Sequence, residues 1–315
     1  MNRTQRKICR AGCASILFTL LLSGCGGGSG GGTGTLNVGV TDAPIDGAYE
    51  VVVTFSGVEL KPVNGSPFSL NLDIQKRINL LNLQGGDFEF LAENASVPAG
   101  EYEWARLKVI TNKETTDSYI TFTATGPDAK YPLYVPGSNN DKSAALKFID
   151  GFTVPEEGEV NLTVDFDLKK SIVEPKNPDN TYFLKPVLHV VQNADAGHIV
   201  GTVPASTYSN DPTCVGAVYL YAGNGVEPFD YYGDSQVPVT SAPVKHVFND
   251  TTQEYEYRYG FGFINAGDYT VSFTCDANLD NVEQNDMTNM NFIGTANVTV
   301  TAGQTTQYNF PDPLN

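Results

Sequence analysis

Alternation of apolar and polar residues with a period of two, bounded by clusters of Gly, Pro, Asn and Asp, recurs along this chain and excludes most architectures. Tyr49, Val51, Val53 and Phe55 share one face of an extended segment. Leu162, Val164, Phe166 and Leu168 share another, with Thr163, Asp165 and Asp167 opposite, and Tyr269, Val271, Phe273 and Cys275 share a third. Successive side chains of a strand point to opposite sides, so each segment offers one face to a core and one to water. No segment sustains a helical period, although Asp141 to Phe148 could form two turns. The expected fold class is therefore all-β. Roughly 280 residues follow the glycine-rich stretch that ends at Gly34, and a sandwich uses ~100 or somewhat more, so two consecutive antiparallel β-sandwich domains are expected.

The boundary falls near Ala196, between the closing segment "TYFLKPVLHVV" and the opening segment "GHIVGTV". Composition changes there: residues 196–315 carry only Lys245 and Arg258 as basic residues against thirteen acidic ones, and half of the 34 aromatic residues. The expected organisation is an export signal over 1–24, a modified cysteine and tether over 25–34, a first sandwich over 35–195 and a second over 196–315.

The amino terminus has the layout of an export signal, with Arg3, Arg6, Lys7 and Arg10 ahead of an apolar run from Ala11 to Leu22. That run is shorter than the roughly 20 apolar residues a spanning helix needs. Leu22-Ser23-Gly24-Cys25 resembles the lipobox of bacterial lipoproteins, which implies lipidation of Cys25 and cleavage before it. The alternative, a secretory signal with a chance cysteine, requires three features to coincide by accident. Gly26 to Gly34, interrupted only by Ser29 and Thr33, reads as a flexible tether of roughly 15–18 Å root-mean-square reach. The resemblance implies a palmitate-type anchor in the cell envelope, and Gly26, which is not aspartate, implies the outer membrane. Gly27-Gly28-Ser29-Gly30-Gly31 matches a nucleophile-elbow pattern but lacks the flanking strand and helix that such a turn requires.

Without the signal, 15 Lys and Arg face 36 Asp and Glu, a net charge of −21, so nucleic acid is excluded as a natural partner. Cys9 and Cys13 leave with the signal. Cys214 and Cys275 remain in an oxidising compartment and are expected to form a disulfide.

The blocks "LNVGVTDAPIDGAYEVVVTFSGVEL", "INLLNLQGG", "VPAGEYEWARLKV", "LKFIDGFTVPEEGEVNLTVDFDLKKSIV" and "YFLKPVLHVV" resemble, in order and spacing, the DUF4382 family of bacterial lipoprotein domains. The resemblance implies a carbohydrate-binding-like or prealbumin-like sandwich and supplies no catalytic residue; the chain departs from the pattern at His189, where arginine is expected. The second half is generally similar to carboxypeptidase regulatory-like sandwiches of Ig-like type, through "GTVPASTY", "AVYLYAG" and "INAGDYTVSFTC".

Three constellations are candidate sites. In "YEYRYGFGF", Tyr255, Tyr257, Tyr259, Phe261 and Phe263 alternate strictly, so five rings are expected on one face, either as a sugar-stacking platform or as a core face. Trp104 is expected beside Tyr102, Arg106 and Lys108 on the polar face of its strand, as a contact site or as a ring covered by cation stems. Asp276, Asn278, Asp280, Glu283 and Asp286 open like a calcium loop, since hard cations take several oxygens from a short stretch. Asn281 and Met287 stand where an EF-hand needs Gly and Glu, which leaves a calcium site of another type or a solvated acidic turn. Asp42, Asp46, Asp165 and Asp167 could converge only if distant strands meet. His189, His198 and His246 lie beside no nucleophile pattern.

The expected function is that of a membrane-anchored envelope lipoprotein with a non-catalytic binding or scaffolding role, with glycans or envelope proteins as partners and no cofactor beyond a possible calcium ion. A surface assembly component and a hydrolase with a carboxylate pair are the alternatives.

Overall fold

Alternating strands with one apolar face leave their cores no choice but to pair sheet against sheet. The computed structural model describes residues 31–43, 45, 47–136, 144–174, 181–211, 213–233 and 236–312. The export segment, Cys25, most of the tether and Asp46 lie outside the described residues.

The first half forms β1 (Thr33–Ala43), β2 (Ala48–Pro62), β3 (Phe68–Asn79), β4 (Glu89–Pro98), β5 (Gly100–Ile110), β6 (Tyr119–Phe122), β7 (Gly126–Tyr134), β8 (Ala144–Val154) and β9 (Glu159–Asp167). A four-residue helix α1 (Leu168–Ser171) and the short strands β10 (Ile172–Val173), β11 (Tyr182–Leu184) and β12 (Leu188–Gln192) complete it. One sheet has the order β12-β9-β1-β4; the other runs β10-β11-β7-β6-β2-β5-β8, with β3 also paired to β2. Val38, Val40, Leu162, Val164 and Phe166 of the first sheet meet Val53, Phe55, Leu60, Leu107 and Val109 of the second, all fully buried or nearly so. Phe55 and Phe166 close this core edge to face at 6.0 Å.

Three expectations change. The first strand begins at Thr33, two residues inside the stretch read as tether. Ala144–Val154 is a strand, so the two helical turns expected at Asp141 to Phe148 are replaced by β8; pairing with β5 outweighs local propensity there. Three of the four sheets are mixed, since β1 runs parallel to β9, β7 to β11, and the first strand of the second half to its last, while the fourth is antiparallel throughout, as expected.

That second half forms β13 (Ala196–Val203), a short helix α2 (Ala205–Asn210), β14 (Ala217–Ala222), β15 (Thr240–Pro243), β16 (Lys245–Asn249), β17 (Glu254–Asn265), β18 (Gly267–Thr274), β19 (Phe292–Val300) and β20 (Thr305–Gln307). Its sheets are β16-β17-β13-β20 and β15-β14-β18-β19. Ile199, Tyr259 and Phe261 pack against Val218, Leu220, Val271 and Phe273. A Cys214–Cys275 disulfide joins the approach to β14 to the end of β18, and closing a loop of that length removes about 4 kcal/mol of unfolded-chain entropy.

The halves meet at a junction that combines close backbone contact, a buried ion pair and an apolar cluster of Val191, Ala196 and Phe263. The loop at Gln84–Gly86 rests on the outer face of β17, where Gly260 and Gly262 leave room for it. A Cβ on Gly262 would lie 2.6 Å from the Gly86 amide nitrogen and closer still to its Cα. Gly85 and Gly86 both have positive φ, +79° and +109°, which glycine adopts without strain. Nearby, Lys169 Nζ of α1 lies 3.1 Å from Asp280 Oδ2, and both side chains are buried.

Candidate functional site

The strand β17 shows why alternation alone misplaced part of the aromatic row. Tyr259 and Phe261 point into the core, and the Tyr259 hydroxyl donates to the Tyr308 carbonyl at 2.8 Å. Between Phe261 and Ile264 the ladder to β13 slips by one residue, and Phe263 takes φ +54°. An inserted residue of this kind reverses the facing of the residues after it. Phe263 therefore leaves the face shared by the other rings and packs edge-on against Phe88 of the first sandwich at 5.4 Å, beside Val191 and Ala196. The expectation of five rings on one surface is corrected: three are buried, at two different places.

The outer end of the row behaves otherwise. His246 and Phe248 of β16 stand opposite Tyr257 and Tyr255 of β17. Tyr257 is stacked on Tyr208 at 3.9 Å and on His246 at 4.6 Å, so both its faces are taken. Tyr255 continues the stack against His246 at 4.8 Å and meets Phe248 edge-on at 5.2 Å. These last two rings are open to solvent, Tyr255 at 63%.

Both residues line a groove of about 1060 Å³ on the sheet β16-β17-β13-β20, which also takes in Gln84 and Asp87 of the first sandwich. Because Tyr257, Tyr259 and Phe261 face the core, Glu256, Arg258 and Gly260 face outward. Lys245 and Arg258, the only basic residues of 196–315, are direct cross-strand partners, and both line the groove. Glu256 accepts from Asn249 Nδ2 and from Arg258 Nε at 2.7 Å, contacts that in that order hold its carboxyl below the usual range. Gln307 and Asn309 add neutral donors and acceptors. Aromatic walls with a few fixed polar groups are the usual make-up of a ligand site.

Trp104 is absent from the groove. Its ring is half-buried under the Arg106 guanidinium, 3.9 Å from the ring centre, and Arg106 reaches Glu59 at 3.8 Å. Tyr102, expected beside it, is buried instead: the β2–β5 ladder slips between Lys61 and Pro62, and Tyr102 stacks on Phe152 at 4.8 Å while its hydroxyl donates to Pro98 O.

The acidic segment after Cys275 distributes its carboxylates among separate partners. Asp276 accepts from the Asn291 amide and Asp286 from the Asn281 amide, while Asp280 accepts from Lys169, from the Tyr219 hydroxyl at 2.6 Å and from the Tyr231 amide at 3.1 Å. Asn278 lies in the 3-10 turn between them. Among the described residues, no three His, Cys, Asp or Glu side chains converge as a metal cluster.

Asp42 and Asp165, by contrast, do come together: they sit one residue out of register at the end of the parallel pair β1–β9, where Thr41 pairs with Asp165 and Asp42 with Phe166, and they interact electrostatically there. Thr41 Oγ1 donates to the carbonyls of Leu83 and Asp87, holding the loop that carries Gln84 over them. Both carboxylates line a small recess of about 20 Å³ that shares Gln84, Gly85, Pro243 and Gly260 with the groove. Burial, then Asp167, pushes the Asp165 carboxyl up to about 7, and burial holds Asp42 well above the usual carboxylate range, with Asp165 adding to it.

None of the groove residues outside β17 carried a signal in the sequence beyond the scarcity of basic residues after 196. Their convergence depends on strand register.

No curated protein matches the chain. Among solved structures it is similar to a leucine-rich repeat protein from Bacteroides thetaiotaomicron, with 11% identity and a TM-score of 0.21 over 89% of this chain, and it spans 26% of that one. It is similar also to a proposed adhesin from Bacteroides ovatus, with 10% identity and a TM-score of 0.21 over 83% of this chain and 77% of the other. A proposed polysaccharide-binding protein (DUF1812) from Bacteroides thetaiotaomicron gives 9% identity and a TM-score of 0.19 over 77% of each chain. At such TM-scores these likenesses bear neither on arrangement nor on function. Residues 33–186, which take in β1 to β11, match the family model described as a domain of unknown function, DUF4382.

Proposed function

We propose that this chain is a lipid-anchored envelope protein, non-catalytic, whose second sandwich binds a saccharide in the groove between β16, β17, β13 and the Gln84–Asp87 loop. The observation that supports this reading is one groove lined both by two solvent-open rings, Phe248 and Tyr255, and, from the other side of the same two strands, by Lys245, Asn249, Glu256 and Arg258, with Gln307 and Asn309 beside them. Sugar rings present apolar C–H faces that settle on aromatic surfaces, and hydroxyl rims that need several donors and acceptors at once. The anchor at Cys25 and residence at the outer membrane are part of the same proposal and rest on the export layout of residues 1–25.

The test is a glycan-array screen of the full-length chain in detergent, repeated with Tyr255→Ala and Arg258→Ala. Binding to a saccharide class that both substitutions weaken at least tenfold supports the reading. Silence across the array, or binding that neither substitution alters, overturns it. Metabolic labelling with palmitate, lost in Cys25→Ala, tests the anchor independently.

A further inference from the structure

The recess beside the groove holds a carboxylate with nothing to satisfy it. Asp42 is 6% exposed, and neither of its oxygens makes a hydrogen bond of normal length and angle. Its neighbours from every packed element are known. Asp165 and Asp167 come from β9, Gln84 from the loop above and Lys245 from β16, and residues 240–243 and 260–262 complete the lining. Gln84 and Lys245 each offset only part of the effect of burial. Asp167 caps α1 by accepting from the Lys170 amide at Oδ1, while its Oδ2 makes no hydrogen bond and lies 3.4 Å from Lys170 Nζ. Asp42 and Asp165 are left sharing one void.

A buried carboxylate must be neutralised by a proton or by a cation. A proton would cancel the charge on Asp42 yet leave its carbonyl oxygen without the donor it lacks now. The cost of an unsatisfied polar group would remain. A cation in the void would serve both carboxylates at once. The volume, about 20 Å³, is that of one ion or one water and excludes any organic ligand. Oxygen is the only ligand type offered: two carboxylates, the Gln84 amide and main-chain carbonyls, the set that a hard divalent ion selects.

We propose that the Asp42–Asp165 recess at the junction of the two sandwiches binds one hard divalent cation, calcium by preference, held by these two carboxylates with Gln84 and backbone carbonyl oxygens. This site is separate from the acidic segment at 276–286 and does not depend on what the groove binds. The ion ties β1 and β9 of the first sandwich to β15 of the second, so its effect is on the junction.

The test is thermal unfolding of the full-length chain in EDTA and in calcium, with equilibrium dialysis for stoichiometry. One tightly held ion per chain is expected, with a midpoint raised by about 5–10 °C at a hundredfold excess over Kd. Asp42→Asn and Asp165→Asn should each abolish the shift and the bound ion; the second variant keeps the test open should the first fail to fold. A calcium shift that survives in both variants places the ion elsewhere and overturns the proposal. So does the absence of any shift with calcium or magnesium.

Discussion

Replacing Lys169 by methionine removes a charge from the junction while keeping most of the apolar stem. The ammonium lies 3.1 Å from Asp280 Oδ2 with both side chains shielded from water. At an effective dielectric constant of 20 that separation corresponds to a gross attraction of about 5 kcal/mol. Asp280 would keep the Tyr219 hydroxyl and the Tyr231 amide as donors, which soften the loss without supplying a countercharge. Breaking one half of a buried pair costs about 3–5 kcal/mol, and the two surviving donors argue for the lower end, about 3 kcal/mol. Urea unfolding of the full chain, followed by circular dichroism and tyrosine fluorescence, measures it. Asp280→Asn added to Lys169→Met should recover part of the loss, giving a coupling of about 2 kcal/mol in a double-mutant cycle. A cost for Lys169→Met under about 1 kcal/mol, with no coupling, would refute the view that this pair fastens the two sandwiches.

The same junction yields two further outcomes. Gly262→Ala places a Cβ 2.6 Å from the Gly86 nitrogen and should cost about 1–3 kcal/mol by urea unfolding, whereas Gly260→Ala, whose nearest neighbour would be at 3.6 Å, should be close to neutral. In EDTA, stability should fall as pH rises from about 4 to about 7. The folded chain holds a proton on Asp165, pushed up to about 7, that the unfolded chain has already released, and the loss is at most about 4 kcal/mol. Asp165→Asn should flatten that slope in a pH series of urea midpoints.

Much of the architecture was legible because it is written in single strands. The segments at Val51–Phe55, Leu162–Phe166 and Val271–Phe273 lie with the faces that their alternation predicts, and the pairing of Cys214 with Cys275 followed from elimination. The features that escaped were set by events between strands. One-residue slips at Tyr102 and Phe263 reversed the side on which a ring emerges, and no local pattern announces where a ladder will slip. The approach of Asp42 to Asp165 required a parallel pairing across more than a hundred residues of chain, so from the sequence their convergence stayed conditional on distant strands meeting. The groove shared this fate. Tyr255 was visible in the sequence, but Phe248, Gln307 and Gln84 belong to it only through register and domain contact.

Glycine meeting glycine at residues 85–86 and 260–262 also decides what natural variation can touch. A contact lined by side chains re-angles whenever one of them changes size, while at Gly262 the two main chains meet so closely that any added Cβ collides, and at Gly260 there is room for a Cβ. Any side chain at Gly262 would therefore have to move the loop that borders the groove, whereas the exposed ring of Tyr255 can change without touching that contact.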